Sequence, residues 1–224
     1  MAKHELRLAV KRHSWRPTGQ YESTKDSWAK VRAQILDRDK HTCQFCGFYA
    51  AKYQEVHHLD SDHENDIPEN LITTCPLCHA TQHIGLAGKE NRGVLIWLPE
   101  MTQQQLNHAI LWLELGPYSK SDVASYISGP KQTLNDFFNY RIQFCAKKLG
   151  TSSPGELGDN LLNLSDEQYE NDVLVRLSSV RLFPLIKNYS EDMQRTWQEQ
   201  LNVIIPSSDK VTTYLQAGEI KKDE

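Results

Sequence analysis

The stretch TCPLCHATQH, residues 74–83, places two cysteines and two histidines within ten residues. Upstream, CQFCG (43–47) supplies a second pair. Cys43-x-x-Cys46 and Cys75-x-x-Cys78 are separated by 28 residues. Two such pairs offer four thiolates, a complete tetrahedral shell for Zn²⁺. Gly47 lets the backbone turn so that both sulfurs of the first pair face one ion. A four-thiolate shell leaves no open position. The spacing therefore predicts a closed, structural zinc that holds the surrounding domain together.

The histidines form a separate set. His57 and His58 lie in EVHHLD (55–60), Asn70 in ENLITTC (69–75), and His79 and His83 follow the last cysteine. If Cys78 opens a helix, His79 and His83 share one of its faces. With His57 from a facing hairpin they make three ligands and leave a position open, as a catalytic metal requires. Singly, each has a plain structural reading: a hydrogen-bonded core histidine, or a turn residue for Asn70. The joint spacing carries the functional reading. A zinc deaminase fits poorly, since it needs His-x-Glu and then Pro-Cys-x-x-Cys. Here His63 and Glu64 are adjacent and Pro76 lies inside the pair. Residues 55–69 hold six acidic residues and no Lys or Arg. That is unfavourable for phosphate approach, and the stretch, His63 included, reads as a solvated loop. His4, His13, His41 and His108 show no usable pattern. Cys145 falls on an apolar helix face and reads as core.

At 224 residues, with 24% charged and 39% hydrophobic residues, the chain has an ordinary globular balance. The net charge is -4 but uneven: residues 1–52 carry 11 Lys and Arg against 5 Asp and Glu. This basic front is a phosphate-facing surface or a solvated face. The polar beginning has no signal-like apolar region, and VLIWLP (94–99) is too short to span a bilayer. The expectation is a cytoplasmic protein with no direct membrane insertion, any membrane association coming through a partner. In that setting paired C-x-x-C reads as zinc, not disulfide.

ELRLAV (5–10) alternates like a short strand, and WRPTGQYEST (15–24) reads as a loop. Residues 26–38 read as a helix capped by Ser23, Thr24 or Asp26, with Trp28, Val31 and Ile35 on its apolar face. GVLIWLP (93–99) is a buried strand. The helix after it has Thr102 as cap, Leu106, Ile110 and Leu113 as stripe, and Gly116 as stop. Helices are expected over 131–149, 165–182 and 190–203 from apolar residues at helical spacing. The fold class is α+β, with a zinc-stabilised core followed by an all-α C-terminal region. The divisions are 1–25, an N-terminal strand and loop; 26–116, the zinc-binding domain; 130–205, a helical domain; and 206–224, a polar tail.

The pattern C-x2-C, V-H-H-L, N-L, C-x2-C-H-x3-H resembles the HNH (ββα-metal) nuclease family. That resemblance implies a structural zinc on the four cysteines. It implies a second divalent metal (Mg²⁺, Mn²⁺, Ni²⁺ or Zn²⁺) on His57, His79 and His83. His58 is then the general base, and Asn70 braces the loop that carries it. The chemistry is phosphodiester hydrolysis of DNA. A longer resemblance rests on HTCQFCGF, YQEVHHLDSD, NLITTCPLC, GVLIWLPEMTQQQLN and RLFPLIKNYSEDMQRTWQEQL. These look like the IcmJ/DotN family of type IVB (Dot/Icm) secretion systems, from about residue 5 to about residue 203. This implies a zinc-binding cytoplasmic subunit of a type IV coupling complex. It would contact the coupling ATPase and its inner-membrane partner, with the HNH core as scaffold. The histidine positions are often altered in that family. Here all five site positions are retained.

Overall fold

The computed structural model describes residues 4–11, 25–116, 131–169 and 174–201. The expected loop at 15–24, Ser23 and Thr24 as caps, the boundary stretch 117–130 and the polar tail lie outside these residues.

The front half is built round one hairpin. Helix α1 (Lys25–Arg38) ends in a turn that leads to the first cysteine pair. Strands β1 (Glu55–His58) and β2 (Leu71–Thr74) pair antiparallel, with His57 opposite Ile72 and His58 opposite Leu71. The end of α1 is fastened to β2. Thr73 N–H donates to Asp39 Oδ2 at 2.8 Å, and Arg38 donates to the Leu71 and Pro68 carbonyls. Two short helices follow, α2 (Pro76–Gln82) and α3 (Ile84–Lys89), broken at His83.

Strand β3 (Gly93–Trp97) and helix α4 (Gln103–Leu115) come next. Thr102 and Gln105 cap α4 reciprocally, and Gly116 ends it, as the sequence predicts. The buried stripe is Gln103, Leu106, Asn107, Ile110 and Leu111, so two amides sit among the apolar positions. Helices α5 (Lys131–Leu149) and α6 (Pro154–Leu162) open the back half, and α7 (Glu191–Leu201) closes it. None of the described helices is long and apolar enough to cross a membrane.

The back half differs from expectation in two elements: helix α6 is not among the helices expected from the sequence, and a strand stands where a helix is expected. Residues 165–182 do not form one helix. Ser165 and Gln168 make a capping box; among the described residues helical turns cover Asp166–Gln168 and Leu174–Arg176, and the helix has ended before Val180. Val180–Pro184 is then β4, antiparallel to β3 with Leu95 opposite Leu182. Leu177 and Val180 satisfy a helical stripe, but Val180, Leu182 and Pro184 also satisfy the two-residue period of a strand. The exposed ladder of β3 decides between them. The sheet separates two apolar clusters. Ile96 and Phe183 face the cluster that holds the cysteines, Leu106, Ile110 and Trp197. Leu95 and Leu182 face the one with Leu8, Val10, Ile84 and Leu157. Cys145 is buried in this second cluster, as expected.

ELRLAV is extended but is no strand. Its backbone bonds go to the α2–α3 joint: Ala9 N–H donates to the Thr81 carbonyl and Ile84 N–H to the Ala9 carbonyl. The alternation is still realised, since Leu6, Leu8 and Val10 are all buried.

Helices α3 and α6 touch backbone to backbone through Gly85-x-x-Gly88 and Gly155-x-x-Gly158. A Cβ on Gly88 would lie 2.2 Å from Gly155 N, whereas one on Gly155 meets nothing closer than 3.6 Å. Gly88→Ala is therefore expected to destabilise the protein by about 1–3 kcal/mol in urea unfolding, and Gly155→Ala to be tolerated. Equal midpoints for Gly88→Ala and wild type would remove this contact as the reason for the glycine.

Candidate metal centres

The four cysteine sulfurs lie within 4.8 Å of one another. The first pair is turned inward by a knuckle. Gly47 takes φ +77°, its N–H donates to the Cys43 carbonyl at 2.8 Å, and Cys43 N–H donates to the Phe48 carbonyl at 2.9 Å. In the second pair, Cys75 is the N-cap of α2 and Cys78 lies in its first turn. Pro76 occupies the first helical position, where a missing N–H loses no helical bond.

Hydrogen bonds from the Cys43, Cys75 and Cys78 thiols hold the Cys46 thiol well below its ordinary value. Cys75 is pushed well above by its Cys43 and Cys46 neighbours, and Cys78 well above by burial. Alone, the cluster favours one thiolate; ionising all four requires a cation among them. Four convergent sulfurs in a buried site fit Zn²⁺. Helix α4 leans on them. Asn107 Nδ2 donates to Cys78 Sγ at 3.5 Å. Burial works to lower the His108 imidazole, but the Cys46 sulfur beside it raises it further.

His57, His79 and His83 each bring a ring nitrogen within 4.8 Å of the others. Their rings meet edge to face, with centroids 4.5–5.5 Å apart. The sequence placed His79 and His83 on one helix face. In the structure α2 ends at Gln82, and His83 is the cap residue between α2 and α3, at φ −129° and ψ 55°. Its N–H still donates to the His79 carbonyl at 3.1 Å, so the rings stay together. Glu55 and His57, two apart on β1, face α2 from the same side of the strand. The Glu55 carboxylate pairs with His79 Nδ1, which leaves Nε2 as the ligating atom. Burial pushes the His57 imidazole down to about 3 and that of His83 down to about 2. Both are therefore neutral at pH 7, the form that binds a metal.

His58 leaves the other face of β1. It stacks on Trp28 at 5.5 Å, touches the His63 ring at 4.7 Å, and shares its Nε2 with Asp66 Oδ1 at 2.9 Å. Asn70 knits the loop that follows His58. Its Nδ2 donates to Asp60 Oδ1 at 2.9 Å and to the Asn65 carbonyl at 2.8 Å. Its Oδ1 accepts from Asp60 N–H at 3.1 Å and its carbonyl accepts from Leu59 N–H at 2.9 Å. Several residues of the acidic stretch thus have partners within the site. Lys11 carries the basic N-terminal segment toward it. Burial lowers its ammonium to about 8, and its charge acts on His57, His63 and His83.

Sequence reasoning did not single out Glu55, Asp66, Asn107 or His108. Glu55 was detectable from its two-residue offset from His57, and Asn107 from its place on an apolar stripe. Nothing local marked Asp66 or His108.

Residues 43–84 match the HNH endonuclease family. A probable HNH endonuclease of Lactococcus phage SK1 is 34% identical over 90 residues, 37% of this chain and 92% of the phage protein. The chain is therefore an HNH protein. The type 4 apparatus protein DotN of Legionella pneumophila is 29% identical over 202 residues, 85% of this chain and 88% of that protein. Beyond its HNH core, the chain is similar to that apparatus protein over most of its length.

The depressed histidines set a pH dependence. In the unfolded chain His57 and His83 take up protons near their ordinary 6.5, while the folded protein resists until about 3 and 2. Between these limits the unfolded state binds more protons, so stability falls as pH falls. Protein stripped of metal at the histidines is expected to lose urea resistance from pH 7 to pH 5. His57→Leu should lose less, and equal slopes would contradict the buried neutral state.

Proposed function

We propose that the protein is a zinc-binding, HNH-like cytoplasmic subunit of a type IVB secretion or conjugation coupling complex, acting mainly through protein–protein contacts. The observation that carries this reading is the extent of the likeness to the Legionella apparatus protein, 85% of the chain. It includes the back half, which the phage endonuclease lacks a counterpart for in its 90-residue match. Pairing of β3 with β4 ties that half to the zinc-bearing core. Cys43, Cys46, Cys75 and Cys78 would hold a structural Zn²⁺ that keeps the front folded. The partners are the coupling ATPase and its inner-membrane companion. The full-length protein is expected to retain both in a pull-down, and to retain one zinc per chain after loosely held ions are removed. Recovery of neither partner would count against the reading.

A second reading is favoured by His57, His79 and His83 converging within 4.8 Å while Asp66 fixes His58. It is a metal-dependent endonuclease. These three histidines would hold an exchangeable divalent ion, which supplies positive charge for the phosphate and leaving oxygens. With Nε2 engaged by Asp66, His58 keeps Nδ1 to take the proton from an attacking water. Asn70 fixes the loop that continues from that base. Plasmid nicking with Mg²⁺, Mn²⁺ or Ni²⁺ should then fall by about 10²–10⁴-fold in His58→Ala. Equal nicking by wild type and variant would sink the endonuclease reading.

A further inference from the structure

We propose that Gln103 and Asn107 form a buried amide relay that donates into Cys78 and couples metal occupancy of the four-cysteine site to docking of β4. It rests on the reading of that site as a zinc centre. Gln103 and Asn107 are 3% and 1% exposed, one turn apart on α4.

The direction of the relay follows from the backbone. Leu182 N–H can only donate, and it points at Gln103 Oε1 at 2.8 Å. Gln103 Nε2 must then be the donor on its other side. It gives to the Leu182 carbonyl at 2.8 Å and to Asn107 Oδ1 at 2.8 Å. The Asn107 oxygen is thereby fixed toward Gln103, so its Nδ2 faces Cys78 Sγ at 3.5 Å. The last atom of the relay has to be an acceptor. A zinc-bound thiolate is a strong one, while a thiol is a poor one. The polarity set at β4 therefore presents a donor, not an acceptor, to the Cys78 sulfur, as a metal-bound thiolate requires. Four thiolates on one Zn²⁺ carry a net charge of −2, and an amide N–H aimed at one sulfur offsets part of it.

His108, next on α4, supports the same arrangement. Its Nε2 is buried without a hydrogen-bond partner, and Cys46 lies beside it. Gln103 meanwhile pairs with a strand about 80 residues further along the chain. Asn107 is not needed for packing, because leucine would fill the stripe between Leu106 and Ile110 without burying polar atoms, whereas Gln103 satisfies the buried Leu182 N–H and carbonyl.

The test uses the full chain. Wild-type protein loaded with Co²⁺ should show the intense charge-transfer band of four thiolates. Its absence would remove the zinc reading itself, separately from the relay. Given that band, Asn107→Asp keeps the shape and removes the donor. Its zinc affinity in a chelator competition is expected to fall by about 10–100-fold, with the cobalt charge-transfer band moved to longer wavelength. Gln103→Glu touches no cysteine but loses the donor to Leu182 and Asn107. It should weaken zinc binding in the same direction. Unchanged affinity in Asn107→Asp would overturn the donor role, and unchanged affinity in Gln103→Glu would overturn the coupling to β4. Should either variant fail to fold, wild type carrying an NMR-active cadmium isotope decides. A scalar coupling from the Asn107 side-chain amide proton to the metal is expected across the N–H···S bond, and its absence would overturn the contact.

Discussion

Four buried sulfurs within 4.8 Å of one another cannot all be ionised unless a cation lies among them. That constraint organises the front half. The knuckle at 43–47, the end of β2 and the first turn of α2 must converge to satisfy it. Once β2 is placed, its register with β1 sets His57 opposite Ile72. Once α2 is placed, His79 meets Glu55 and the chain breaks at His83. The histidine cluster is thus positioned by elements that the cysteines hold together. The two sites are therefore linked through shared elements even though they share no residue.

The back half does not merely follow. β4 completes a sheet with β3 whose two faces serve different cores. Its Leu182 backbone is read by a buried amide on α4. Such contacts make the C-terminal segment part of the same cooperative unit as the metal-bearing hairpin. This fits the likeness to the Legionella apparatus protein, which extends beyond the 43–84 core.

Much of the site was legible in the sequence because spacing encodes it. Cysteine pairs three apart need no tertiary knowledge to be read as ligands, and His57, Asn70, His79 and His83 gain meaning from their offsets to those pairs. What escaped depends on choices made across the chain. Residues 177–184 satisfy both helical and strand periods, and the free edge of β3 settles the matter. ELRLAV showed which side chains are buried but not what its backbone would bond to. Asp66 became a partner of His58 only through the loop that Asn70 ties down. Residues 55–69 looked from composition like a repulsive, solvated loop. In the structure Glu55 orients His79, Asp60 receives Asn70, and Asp66 orients His58.

Alternation along β1 separates two roles that sequence alone leaves side by side. His57 turns toward α2 and joins the three-imidazole cluster. His58 turns toward Trp28 and Asp66. Three convergent imidazoles, one buried and two half-buried, are a poor way to pack the edge of a core, since leucines would do so without placing nitrogens together. A shared cation explains them better than packing does. A scaffold could use such an ion simply as a second clip, and would need nothing from His58. Hydrolysis needs the ion and also a base whose lone pair is kept free, which is what a carboxylate on the opposite ring nitrogen provides. The two functional readings therefore diverge at His58 and Asp66, not at the cluster.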